Sequence, residues 1–388
     1  MALSSTLAQP TAAAPRTYRL AVGALFFIQG ICFASWASRI PAVQQRMGLS
    51  DTELGLVLFA IPVGLMISLP IAGWLVAKYG SRRVVLAGNV FYGLTLLGLG
   101  AAQNREQLIG AMLLFGLAGN LVNIAVNTQA VGVEALYGKS IMASFHGLWS
   151  LAGFAAAALG TVMIGQQVAP LPHFVAVVGL MVVGLLVCHR YVLPHDAPRP
   201  ADQPLFVLPD KSLLLLGMLA FCSMICEGAM FDWSGVYFKK VVLAEKAWIG
   251  AGYVAFMSTM AGGRFISDWF VTRYGRKRTL QLSGLLTAGG LMLAVLLPQL
   301  PTAVAGCLLV GAGVSSVVPL VYGAAGRSKT MSAGVALASV STVGFLGILL
   351  GPVLIGLVAG ATSLRVSFSI IAVMGLCITG LAGRLREE

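Results

Sequence analysis

Long apolar stretches alternate with short polar breaks over most of the 388 residues. Apolar runs of about 20 residues are long enough to cross the hydrocarbon core of a bilayer as helices. Such runs recur from Arg19 almost to the end of the chain, separated by charged residues, Gly and Pro. The pattern predicts an all-α integral membrane protein with twelve transmembrane helices. The predicted spans cover 19–41, 52–77, 84–102, 108–132, 144–165, 172–193, 212–238, 248–271, 279–298, 302–324, 333–358 and 366–383.

Composition supports the same class. Hydrophobic residues make up 58% of the chain and charged residues 10%, whereas about a quarter of an average soluble domain is charged. The six cysteines lie in apolar surroundings without the paired spacing of a zinc or redox motif. We therefore expect neither a bound metal nor a cofactor.

The net charge of +12 would suit a nucleic-acid-binding protein if the basic residues formed a patch. They instead form short clusters between the spans. With the N-terminus inside, 17 of the 25 basic residues fall in inner segments and seven in outer ones, while Arg264 lies within span 8. The positive-inside rule then predicts a multi-pass inner-membrane protein with both termini cytoplasmic and no nucleic-acid partner.

An internal repeat divides the chain into halves. Tyr-Gly-Ser-Arg-Arg at 79–83 matches Tyr-Gly-Arg-Lys-Arg at 274–278, an offset of 195 residues that also places Gly116 on Gly311 and Asn120 on Ser315. Parallel repeats in transporters hold their substrate near the bilayer midplane, between the halves. The predicted domains are a disordered leader (1–17), a six-helix bundle (18–193), a Pro-rich cytoplasmic linker (194–211) and a second six-helix bundle (212–388).

Residues 73–83 and 263–278 resemble the loop signature of the major facilitator superfamily. Glu-Gly-Ala-Met-Phe-Asp-Trp at 227–233 and Ser-Phe-His-Gly-Leu-Trp-Ser at 144–150 are similar to stretches of a bacterial branch related to sugar (fucose-type) permeases. The resemblance implies alternating access between two pseudo-symmetric bundles, with spans 1, 4, 7 and 10 lining the cavity. It also implies a gating role for basic loop residues, here Arg82, Arg83, Arg276 and Arg278. The signature's helix-end acid is replaced by Ala77 and Thr272, which weakens the expected charge relay.

Two acids in span 7 are the candidates for proton coupling. An ionisable side chain at the bilayer centre costs about 2.5–3.5 kcal/mol on insertion scales and therefore needs a partner, water or a function. Glu227 lies near the middle of the span and is the stronger candidate; the alternative is a protonated carboxyl that only bonds a neighbouring helix. Asp232 lies on a different helix face, either as a second coupling group or at the outer rim beside Arg39 or Lys239.

Arg264 and Asp268 are spaced i, i+4 in span 8, so their side chains can meet. We interpret them as a structural or gating pair, with substrate or proton coupling as the alternative.

Amides form the clearest polar stripe in the spans. Asn120, Asn123 and Asn127 share one face of span 4 and offer donors and acceptors together, as a polar solute requires. Interhelical bonding is the alternative interpretation. The remaining candidates for substrate binding are Gln29, His146, Trp149, Ser315 and Tyr322.

Energy for transport must come from an ion gradient, because no phosphate-binding Gly-x-x-x-x-Gly-Lys-Ser/Thr loop occurs. The leading hypothesis is a monomeric, proton-coupled transporter of a small polar solute, sugar-like or organic, and not an enzyme. One alternative is a proton-driven exporter of amphipathic compounds. Another is a receptor that keeps the fold without transporting, but the sequence offers no soluble signalling domain.

Overall fold

The computed structural model describes residues 15–137, 141–196, 211–328 and 333–385, and these are folded almost entirely into α-helices. Most of the predicted leader and linker lies outside the described residues. The helices of the first half are α1 (Pro15–Met47), α2 (Asp51–Leu58), α3 (Ala60–Tyr79), α4 (Ser81–Ala101), α5 (Arg105–Tyr137), α6 (Met142–Gly165) and α7 (Pro170–Cys188). Those of the second half are α8 (Lys211–Lys240), α9 (Ala251–Tyr274), α10 (Arg276–Leu296), α11 (Leu300–Val314), α12 (Val317–Ala325), α13 (Ala333–Ala361) and α14 (Leu364–Gly383).

Two predicted spans are each divided into two helices. Span 2 is formed by α2 and α3, which meet at Phe59, and span 10 is formed by α11 and α12, which meet at Ser315 and Ser316. A proline lies four residues beyond each break, Pro62 after Leu58 and Pro319 after Ser315. Because a proline lacks an N–H and its ring crowds the carbonyl four residues earlier, it interrupts the helix at that point.

The helices have the length and composition of membrane spans. Eleven helical segments within the described residues are long and apolar enough to cross a bilayer, counting α2 with α3 and α11 with α12 as one each. The helix outside this set is α9, which carries Arg264, Asp268 and Arg273. Large apolar side chains such as Val183 and Leu186 on α7 are 59% and 67% exposed, as expected of side chains that face lipid.

The two halves pack by the same plan. In the first half α1 packs on α6, α3 on α5 and α4 on α7; in the second, α8 packs on α13, α9 on α11 and α10 on α14. The repeat extends to single contacts. A Cβ added to Gly116 would overlap the carbonyl oxygen of Ile61, and one added to Gly311 would overlap that of Phe256. Gly116 and Gly311 are 195 residues apart, and so are Ile61 and Phe256. Equivalent helices are therefore in backbone contact in the two halves.

Several of the contacts between the halves lie at one end of the bundle. We call the end where Pro15 and Leu385 lie the termini side and the opposite end the far side. On the far side, Lys240 Nζ is 2.6 Å from Asp51 Oδ1, and Lys239 Nζ donates to Gln45 Oε1 at 2.6 Å. Helices α2 and α13 also cross there, because Gly55 and Gly356 lie in direct backbone contact. The far side is therefore closed.

Candidate functional site

Five aromatic side chains form a layer between the halves, just inside the far-side closure. Phe231 on α8 lies at the centre, with ring centroids 5.4 Å from Phe33 on α1 and 5.6 Å from Phe256 on α9. Trp149 on α6 and Tyr253 on α9 complete the layer at 6.4 and 6.2 Å from Phe231. Phe33, Trp149 and Phe231 are half-buried, so part of each ring remains accessible.

A polar cluster lies on the termini side of this aromatic layer. Arg264 on α9 donates from Nη1 to Ser150 Oγ on α6 at 2.6 Å, a hydrogen bond that joins the two halves. Among the described residues, the Nε of Arg264 is buried without a hydrogen-bond partner. His146, one turn before Ser150, is exposed; its ring lies edge-on to Phe26 of α1, with centroids 5.3 Å apart, and experiences the charge of Arg264. The neighbours of His146 on α1 and α9 place its ring in the space between the halves.

Glu227 belongs to the same cluster. Its side chain is 9% exposed, and Ser223 Oγ donates to its Oε1 at 3.3 Å. The charge of Arg264 acts on Glu227, but the ion pairs formed among the described residues are Arg105–Glu53 and Lys240–Asp51, so Glu227 and Arg264 are not in direct contact. Glu227 precedes Phe231 by four residues on α8, one helical turn, and therefore lies directly below the aromatic layer.

The predicted partner of Arg264 cannot be compared with the structure, since the Asp268 side chain lies outside the described residues. The sequence does not predict the contact with Ser150. It joins residues 114 positions apart in different halves, and no local spacing rule reports such a contact.

The asparagine stripe divides into two environments. Asn120 is buried and donates to Ser68 Oγ at 2.7 Å, which ties α5 to α3. Asn127 donates to Asn123 Oδ1 at 3.0 Å within α5, and both residues are half-buried. Gln29 on α1 donates to the carbonyl of Gly119 at 3.2 Å, while its buried Oε1 has no hydrogen-bond partner in the described part of the chain.

Ser315 and Tyr322 occupy the break in span 10 and the helix that follows it. Ser315 is buried and donates to the carbonyl of Ala312 at 2.7 Å, next to Gly263 of α9. Tyr322 is half-buried beside Ser341 and within reach of the Glu227 charge. The structure thus brings Glu227, Arg264, His146, Trp149 and Tyr322 toward one central region, whereas Asn120 and Ser315 lie in helix crossings.

Asp232 lies nearer the far side than Glu227. It is half-buried and lies near Tyr253, whose buried hydroxyl has no hydrogen-bond partner among the described residues. The pairing with Arg39 or Lys239 considered from the sequence does not occur among the described contacts. Arg39 donates instead to the carbonyl of Val168, and Lys239 reaches across to α1.

The basic turn after α3 is held by residues that the motif did not indicate. The backbone N–H of Ser81 donates to Asp196 Oδ2 at 2.9 Å, and its hydroxyl also bonds the Asp196 carboxylate. Gln129 on α5 donates to Ser81 Oγ at 2.6 Å. Arg82 donates to the carbonyl of His189 at 3.1 Å.

The other basic turn residues differ in exposure. Arg83 and Arg278 are exposed, and Arg276 is half-buried. Within the described residues, no group of three or more His, Cys, Asp or Glu side chains is arranged to hold a metal ion.

Comparisons with known proteins agree with this architecture. The family model of the Major Facilitator Superfamily matches residues 22–328 and 244–387. An uncharacterized MFS-type transporter of Yersinia pestis is 36% identical over 357 residues, which cover 92% of this chain and 93% of the relative.

Solved structures share the fold at low sequence identity. A bacterial homologue of the human lysosomal transporter Spinster, in an inward-facing and unoccupied conformation, superposes with a TM-score of 0.76 at 13% identity, covering 95% of this chain and 96% of that one. A point mutant of the nucleoside transporter NupG has a TM-score of 0.74 at 14% identity, covering 94% and 99%. The chain therefore belongs to the major facilitator superfamily and is a multi-pass membrane transporter, not an enzyme.

Proposed function

We propose that the protein is a monomeric secondary transporter that couples the movement of a small polar solute, sugar-like or organic, to protons. The observation that carries the proposal is Glu227, a buried carboxyl at the centre of the bundle beside the arginine that joins the halves. A carboxyl in a membrane interior can exchange a proton only when a pathway to water opens, which is what alternating access provides. The half-buried amides of Asn123 and Asn127 support a polar solute, because they offer hydrogen-bond donors and acceptors together.

The distribution of basic residues supports an orientation with both termini in the cytoplasm of a bacterial inner membrane. The far side, which is closed in this structure, would then face outward. A fluorescent-protein fusion at the C-terminus, which folds only in the cytoplasm, should fluoresce. An active alkaline phosphatase fusion at the same position would contradict the orientation.

Proton coupling can be separated from solute binding. A thermal-shift screen of metabolites and drugs identifies a ligand, since a ligand that binds the native state raises the unfolding temperature. In proteoliposomes, Glu227→Gln should abolish accumulation of that ligand driven by a pH gradient while retaining exchange between equal internal and external pools. Glu245→Gln, at an exposed acid after α8, should retain both activities. Unchanged gradient-driven accumulation by Glu227→Gln would refute the assignment.

Export of amphipathic compounds is the second candidate function, and the aromatic layer around Phe231 is the observation that favours it, because aromatic surfaces suit apolar ligands. A deletion strain that becomes more sensitive to such compounds, with efflux restored by the gene, would support export over uptake.

A further inference from the structure

We propose that the transported solute is a small carboxylate with an aromatic body, bound with its carboxylate on Arg264 and its ring against Trp149 and Phe231; this assignment rests on the transport function proposed above. The solute would lie between the aromatic layer and the polar cluster. Three features support it: the unused donors of Arg264, the accessible aromatic faces, and the balance of charge.

Arg264 has an N–H group available for a ligand. A guanidinium can bind a carboxylate through two parallel N–H bonds, which adds both strength and directionality. Nη1 is held by Ser150, while Nε is buried and has no hydrogen-bond partner within the part of the chain that the structure describes. The bond to Ser150 fixes the guanidinium between the halves, where a ligand must bind if it is to be released on either side. His146 adds an exposed ring beside it whose N–H can act as a further donor.

The aromatic faces lie at a suitable distance. Phe231 is one turn from Glu227 along α8, about 6 Å at 1.5 Å per residue, and Trp149 directly precedes Ser150 on α6. The half-buried state of Trp149 and Phe231 leaves ring surface accessible, and aromatic pairs favour stacked or edge-on contacts at centroid distances of about 4.5–7 Å. Because Trp149 directly precedes the Ser150 that holds Arg264, we expect a solute whose ring is attached directly to a carboxylate, or through one carbon, to contact Arg264 and Trp149 together.

Charge balance distinguishes an anion from a neutral sugar. The titratable groups around Glu227 are Arg264 on α9, Tyr322 on α12 and Cys226 on α8; His146 on α6 faces Arg264, and the Asp268 side chain lies outside the described residues. Two negative charges beside one arginine would repel each other in a site of low dielectric constant. A bound carboxylate therefore favours the protonated form of Glu227, and protonation of Glu227 favours carboxylate binding. One proton then accompanies each anion.

The test is a binding measurement on detergent-purified protein, which requires no proton gradient. Benzoate and phenylacetate should raise the unfolding temperature and give saturable binding, whereas benzamide, the uncharged counterpart of benzoate, and glucose should not. Affinity for benzoate should rise as the pH falls from 8 to 6, and this pH dependence should disappear in Glu227→Gln. Stabilisation by glucose but not by the carboxylates, or equal binding of benzoate and benzamide, would overturn the proposal.

Substitutions at Arg264 and His146 test whether these residues bind the carboxylate. Arg264→Gln should weaken benzoate binding by at least about tenfold, the loss expected for a charge-assisted hydrogen bond, and Arg264→Lys by less. Arg273→Gln, at an exposed arginine on the same helix, serves as the matched control and should bind normally. Because Arg264→Gln could impair folding, His146→Gln, at an exposed position, provides a second measurement and should weaken binding without changing the unfolding temperature of the free protein. Normal binding by both Arg264→Gln and His146→Gln would refute the site. Carboxylate binding without gradient-driven accumulation would refute only the proton coupling proposed for the transporter.

Discussion

At the scale of single residues, Asp196 shows how a carboxylate reaches a turn whose own sequence lacks one. The first N–H groups of a helix have no partner within that helix, and an acidic side chain there satisfies them and interacts favourably with the helix dipole. Ala77 occupies the position where the superfamily's loop signature has its acid. Asp196, which follows α7, instead bonds the backbone N–H and the hydroxyl of Ser81 at the start of α4. The turn is therefore anchored from another part of the same half.

Asp196→Ala should lower the stability of the protein by about 1 kcal/mol, the usual cost of losing a side-chain cap. The unfolding temperature in detergent should fall by roughly 1 °C, because the entropy of unfolding grows with chain length. His195→Ala removes the exposed neighbouring side chain and should leave the temperature unchanged. Equal shifts for the two variants would show that the Asp196 contacts contribute nothing specific.

At the scale of helices, the repeated glycine contacts explain how the spans approach so closely. Helix pairs in membranes often pack through small residues that allow backbone contact. Gly116 on α5 meets Ile61 on α3, and Gly311 on α11 meets Phe256 on α9. Any side chain at either glycine would force the two helices apart.

Gly116→Ala should destabilise the protein by about 1–3 kcal/mol, because the added methyl would overlap backbone atoms that cannot rotate away. Gly311→Ala should behave similarly. Gly110→Ala on the same helix is the matched control, since a Cβ there meets nothing within 4 Å. The measurement is the unfolding temperature of the three variants. A Gly116→Ala protein as stable as Gly110→Ala would show that α3 and α5 are not in close backbone contact at Gly116.

The same scale shows how far the sequence alone could predict the molecule. The length of the apolar runs predicted a helix at each of the twelve span positions, because a bilayer demands long apolar helices; eleven of the described segments are long and apolar enough to cross it. The breaks at Phe59 and Ser315 were not predicted, although Pro62 and Pro319 signal them. The Arg264–Ser150 bond could not be predicted, since it depends on how two separate bundles face each other. Glu227 can be singled out as a candidate from the sequence because an acidic residue in a span is rare, whereas the aromatic layer cannot, because aromatic side chains in a span usually only pack.

At the scale of the whole molecule, the far-side closure rests on contacts that hold only while the halves are close together there. Gly55 and Gly356 permit the crossing of α2 and α13: a Cβ on Gly356 would lie 2.8 Å from the Asp51 carbonyl oxygen and 2.8 Å from the Gly55 Cα. The neighbouring Lys240–Asp51 pair is partly exposed and contributes little by itself. Backbone fit, more than charge, therefore decides whether this side can close.

Gly356→Leu should consequently shift the population toward molecules that are open on the far side. Spin labels at Glu106 and Gln299, exposed far-side positions in different halves, should report longer distances in the variant than in the parent protein. Leu357→Phe, at a residue 49% exposed on the same helix, should leave the distances unchanged. A steric block at one side of a two-state transporter biases the equilibrium by the free energy it adds to the closed state, so Gly356→Ala should produce a smaller shift in the same direction. Unaltered distances in Gly356→Leu would mean that the crossing of α2 and α13 does not control closure.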